Sequence, residues 1–209
     1  LISKEKVELS ASICKTDLTS DLVGEFPELQ GIMGGYFSAQ QGFDKDICLS
    51  ITEQYLPIGL DSNVPKKPFS IALSMTDKID NLVGFFGIDE KPTSSKDPFA
   101  LRRVALGIIR IIIENKKDLK LNDLLNYSIG LYQEQNFTLV NDDLKKDLSN
   151  FLKDRFRYYL KEKDIRFDII EASISNFSTN KLFSSFEKAR CVNRVINNQI
   201  GIDLSLIHI

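Results

Sequence analysis

Residues 141–163, NDDLKKDLSNFLKDRFRYYLKEK, decide the fold class. Leu144, Leu148, Phe151, Leu152, Tyr159 and Leu160 recur at spacings near three and four, which winds them onto one face of an α-helix. Asn141 is suited to cap that helix, and Asp142 and Asp143 fall in its first turn, where the helix dipole favours carboxylates. The opposite face carries Lys145, Lys146, Lys153, Arg155, Arg157, Lys161 and Lys163. An amphipathic helix with a basic outer face is the first expectation.

Working outward, Asp97-Pro98 reads as a second helix start, with Asp97 as cap and Pro98 at the first helical position. The segment that follows, Phe99–Glu114, is apolar nearly all round and belongs in the centre of a core. Asp168 with Glu171 marks a weaker third start, and a fourth helix is expected from about Asn180 to Asn197. Pro57–Pro68 and Gly87–Asp97 hold too many breakers for regular structure. No segment sustains a two-residue alternation, so the fold class is all-α.

At 209 residues, 43% hydrophobic and 27% charged, the chain resembles neither a disordered tail nor a membrane protein. A chain of this size buries about 70% of its unfolded surface. Its longest apolar run, Gly107–Ile113, is cut by Arg110 and is far short of a bilayer span. Cys14, Cys48 and Cys191 form no Cys-x-x-Cys pair and read as reduced thiols of a cytoplasmic protein, acting as small hydrophobes. With a single histidine, zinc chemistry and histidine-dependent catalysis are both disfavoured.

Charge is unevenly spread. Residues 1–97 hold nine lysines, no arginine and fifteen acids, a net of −6, whereas residues 98–203 hold ten lysines, eight arginines and fourteen acids, a net of +4. Arginine is the side chain suited to bidentate phosphate contact, so its confinement to the second half hints at an anionic partner. Ordinary solvated helix faces would give the same pattern.

Several local features have a chemical and a structural reading. Gly31-Ile32-Met33-Gly34-Gly35 is glycine-rich but lacks the Lys-Ser/Thr of a phosphate-binding loop and no clear helix start follows it, so a close helix contact or tight turn fits better. Asp77 and Asp80 share a helix face, as a weak metal pair or a solvated, Lys78-paired surface. Glu25 and Glu28, flanking Pro27, invite the same caution. Arg103 and Arg110 lie seven apart in a segment otherwise too apolar for a surface helix, so either acids or a phosphate must meet them. Glu114 is an internal partner for Arg110, while Lys96 and Arg102 have no obvious one.

The sequence opens on Leu1, and Leu204-Ser205-Leu206-Ile207-His208-Ile209 resembles the in-frame translation of a transposon-end sequencing adapter. The expectation is an internal fragment of about 203 authentic residues, with 204–209, including His208, set aside.

The blocks Lys15-Thr16-Asp17-Leu18, Val23-Gly24-Glu25-Phe26-Pro27-Glu28-Leu29-Gln30-Gly31-Ile32-Met33-Gly34 and Glu53-Gln54-Tyr55-Leu56-Pro57 resemble the β subunit of bacterial-type heterotetrameric glycyl-tRNA synthetase. The resemblance continues through Asp77-Lys78-Ile79-Asp80-Asn81-Leu82-Val83-Gly84, Phe86-Gly87-Ile88 and Lys96-Asp97-Pro98-Phe99-Ala100-Leu101-Arg102-Arg103, and covers about half of the chain strongly. It implies an HD-like helical domain, here residues 1–115, followed by a helical body or linker over 116–203 that leads toward an anticodon-binding domain. It also implies a chain that grips tRNA-Gly within an α2β2 assembly, while glycine and ATP react on the α subunit. No metal and no catalytic residue are expected in this fragment. Asp17 and Asp77 would fall at two acid positions of the HD type, without the histidines that a metal phosphohydrolase requires. On this resemblance the candidate nucleic-acid contacts are Lys96, Arg102, Arg103, Arg155 and Arg157, with Arg110 behind them. A metal-dependent HD phosphohydrolase and a purely structural subunit-assembly module are the competing readings.

Overall fold

The computed structural model describes residues 3–175 and 177–198. Among these it contains ten α-helices, three short 3-10 turns and no strand. The all-α expectation holds, and residues 204–209 lie outside the described part. The chain divides into two compact units, 1–81 and 82–209.

The first unit contains α1 (Lys4–Ile13), α2 (Asp21–Glu25), α3 (Ile32–Gln40), α4 (Lys45–Glu53) and the larger part of α5 (Pro68–Gly87). Its core joins Cys14, Ile47, Ile51, Phe69 and Leu73, with Ile13 and Phe43 packed against them. The glycine run serves a close approach and a helix start at once. A Cβ on Gly34 would lie 2.9 Å from Ile51 Cγ2, and one on Gly35 would collide with Thr52 Oγ1, so α3 and α4 touch where side chains are absent. Gly31 turns at φ +80°, and α3 begins at the next residue. That helix start lacks the usual polar cap in sequence. Its cap comes instead from Asp17, fourteen residues upstream, whose Oδ2 accepts the Gly31 N–H at 2.7 Å and the Gly34 N–H at 3.2 Å.

The second unit contains α6 (Leu101–Glu114), α7 (Leu121–Glu134), α8 (Leu144–Glu162), α9 (Phe167–Ser175) and α10 (Leu182–Ile196). As its composition requires, α6 is central, buried without interruption from Ala105 to Ile113. It packs against α8 and α10, whose Leu148, Leu152, Phe156 and Leu160, and Leu182, Phe186 and Ala189, are buried.

Both expected starts are displaced. Pro98 and Phe99 lie in a turn, with Phe99 stacked on Phe85 at 3.9 Å between ring centroids, and helix geometry begins only at Leu101. Asp97 still caps α6 from outside, accepting the Leu101 and Arg102 N–H groups at 2.8 and 3.0 Å. α8 begins three residues after Asn141, whose Oδ1 accepts the Asp143 N–H at 3.0 Å in the turn ahead of the helix while Nδ2 donates to Phe86 O and to Asp147 Oδ2, both at 3.1 Å. Asn180 sits in a 3-10 turn ahead of α10, where its Oδ1 accepts the Asn122 N–H at 2.8 Å. Among the three free cysteines, Cys14 is buried and Cys48 half-buried, but Cys191 is exposed on α10, contrary to its expected hydrophobic role.

Candidate nucleic-acid interface

The six candidate cations separate by how each charge is satisfied. Lys96, Arg102 and Arg103 belong to one local structure, the loop that Asp97 pins to the start of α6. The Thr93 N–H donates to Lys96 O and the Lys96 N–H to Thr93 Oγ1, closing this loop, and Arg102 tightens it by donating to Thr93 O. The Arg102 guanidinium also lies 3.9 Å from Asp97. Lys96 and Arg103 are exposed, and neither has a carboxylate partner among the described residues.

Arg110 is 6% exposed, and its Nε donates to Glu114 Oε1 at 2.7 Å, the helical i,i+4 pair expected from sequence. Beneath this pair Tyr159 is buried, its phenol pushed up to about 12, first by burial and then by the Glu114 carboxylate. Arg157 is also engaged within the chain, with Nε on Glu171 at 3.0 Å and Nη1 on Asp154 at 2.7 Å. The hydrogen bond to Glu171 is the main cause that raises its pKa above the ordinary arginine value.

Arg155 is different again. Phe151, Arg155 and Tyr158 form a stripe at i, i+4 and i+7 of α8, and the guanidinium carbon lies 5.9 and 5.8 Å from the two ring centroids. Sequence reading placed Arg155 on the polar face but missed the rings, because Phe151 counts as core in a hydrophobic pattern.

The two acids expected at HD-type positions both have partners within the chain. Asp17 is 1% exposed and caps α3, and Asp77 Oδ1 lies 2.7 Å from Lys15 Nζ. The Lys78 side chain, expected beside Asp77, turns away to Gln54 O at 3.3 Å and Ser74 Oγ at 3.0 Å. Among the described residues no three His, Cys, Asp or Glu side chains converge, and no helix is long and apolar enough to cross a membrane.

The family model described as "Glycyl-tRNA synthetase beta subunit" matches residues 1–175. Curated relatives, each named "Glycine--tRNA ligase beta subunit", include that of Rickettsia canadensis (strain McKiel), 51% identical over 154 residues, which are 73% of this chain and 22% of the relative. Another, from Rhodospirillum centenum (strain ATCC 51521 / SW), is 44% identical over 168 residues, 80% of this chain and 23% of the relative. A third, from Paracoccus denitrificans (strain Pd 1222), is 38% identical over 201 residues, 96% of this chain and 28% of the relative. The chain thus spans roughly a quarter of the length of these relatives. With its strongest sequence blocks inside the matched region, the chain belongs to the glycyl-tRNA synthetase beta subunit family.

Proposed function

We propose that this chain is a tRNA-binding part of the β subunit of glycine–tRNA ligase, one that positions tRNA-Gly while an α subunit joins glycine to it at the expense of ATP. In the same reading the assembly is α2β2 and cytoplasmic, residues 1–115 are HD-like and residues 116–203 form a body or linker. The observation that carries the reading is the set Lys96, Arg103 and Arg155, cations with no carboxylate partner among the described residues, in a chain of this family. Lysine and arginine neutralise backbone phosphates and release counterions, so affinity should fall steeply with salt. Arg110 and Arg157, already bonded to Glu114, Glu171 and Asp154, contribute to packing first.

The test uses the full-length β chain with its α partner. Changing Lys96 and Arg103 together to Ala should weaken tRNA-Gly binding and flatten the plot of log affinity against log salt by about 0.7–0.9 per lost phosphate contact. Unchanged affinity and slope would remove both residues from the interface.

A further inference from the structure

We propose that Arg155 reads an RNA phosphate with the edge of its guanidinium, and that Phe151 and Tyr158 are the positioning residues that hold it for that task. The inference rests on the tRNA-binding reading above and names the mode of contact. Arg102, Arg110, Arg157, Arg166 and Arg190 each have a carboxylate within 4 Å, whereas Arg103, Arg155 and Arg194 have none among the described residues, and of these three it is Arg155 that lies beside aromatic rings. Its neighbours are rings on both sides along the helix, with Tyr158 38% exposed. Nε is buried and without a hydrogen-bond partner, so the stem is enclosed and the terminal nitrogens are the donors left to offer. A guanidinium lined by rings keeps its fork in one orientation, and a preorganised fork matches the two oxygens of a phosphodiester.

Charge complementarity favours phosphate over a protein carboxylate. Along α8 six basic residues outnumber three acids, and two of those acids are taken, Asp147 by Lys91 at 2.7 Å and Asp154 by Arg157 at 2.7 Å. α8 as a whole therefore carries excess positive charge, which favours a polyanion.

The experiment measures tRNA-Gly binding across a salt series, using full-length β chain assembled with α. Arg155→Ala should weaken binding about tenfold and lower the salt slope by one contact's worth, about 0.7–0.9. Arg155→Lys should keep the slope, because the charge remains, yet still lose affinity, because the fork is gone. Tyr158→Leu should lose affinity at unchanged slope, and Tyr158→Phe should match the parent. Arg155→Gln, planar and neutral, serves if the alanine variant fails to fold by thermal unfolding. Parent-like binding by the Arg155→Ala or Arg155→Gln variant, while the Lys96 and Arg103 changes still weaken it, overturns this inference and leaves the tRNA reading standing. Parent-like binding by Arg155→Lys overturns the fork. Loss of α association with intact tRNA binding would assign Arg155 to a partner carboxylate and also overturn it. Absence of salt-sensitive binding by the parent assembly overturns both.

Discussion

Lys78 carries its ammonium group into a position only 4% exposed, where it meets a carbonyl and a hydroxyl and no direct carboxylate. Burial lowers its pKa to about 8, with Asp77 opposing the shift. The folded pKa lies below the unfolded one, so between about pH 8 and 10 the unfolded chain binds more protons and stability contributed by this group rises with pH. Denaturant midpoints taken at pH 7.5, 8.5 and 9.5 should therefore climb in the parent relative to Lys78→Met, which lacks the titration. Parallel profiles would show that the group is not desolvated as described. Nothing in the sequence announced this residue, since a lysine beside Asp77 reads as a surface partner. Its burial follows from Ser74 and Gln54, which lie four and twenty-four positions away. Arg110–Glu114 was legible because an i,i+4 pair needs only helix periodicity. Arg157–Glu171 was not, because it depends on how α9 folds back toward α8.

Helix starts were partly readable, whereas helix ends were nearly silent. Four successive helices, α5 to α8, stop two residues before a non-glycine residue in the left-handed region: Asp89, Lys116, Asn136 and Asp164, at φ 65°, 54°, 59° and 54°. Each end has the same paired closure, for example Lys116 N–H to Ile113 O and Lys117 N–H to Ile112 O, both at 3.0 Å. This arrangement usually recruits glycine, which enters the left-handed region without a Cβ clash. Here the apolar residue that follows, Phe137 or Ile165, supports the turn in two of the four cases, and no glycine signals it in the sequence. Each such residue stores strain, so Asp164→Gly and Lys116→Gly should each stabilise the chain by about 0.5–1 kcal/mol, the left-handed penalty less the added freedom of the unfolded chain. Equilibrium urea unfolding measures this directly. A loss of stability in both would mean that these side chains have roles beyond the turn. The α6 start teaches the complementary lesson: Asp97 was correctly read as a cap, but the Phe99–Phe85 stack holds the intervening residues in a turn.

For the whole molecule, the charge asymmetry visible in the sequence follows the structural division. The first unit holds seven lysines, no arginine and twelve acids, and every arginine lies in the second. Thiol reactivity offers a measure of intactness for both. Cys191 is exposed, whereas Cys14 is buried and its thiol is pushed up, chiefly by burial. In the native chain Cys191 should be alkylated first and Cys48 more slowly, with Cys14 reacting only on unfolding, as peptide mass spectrometry over time would record. Early labelling of Cys14 would contradict the α1–α4 core. The family could be read from sequence because its motifs are contiguous blocks, while the Phe151–Arg155–Tyr158 stripe and the Asp17 cap depend on groups brought together by folding. The boundary between the units falls inside α5, so a chain cut there would leave Leu82–Gly87 as less than two helical turns and strip backbone partners from both sides of the break. Expressing either unit separately therefore requires both coding segments to carry the same helix, from Pro68 through Gly87.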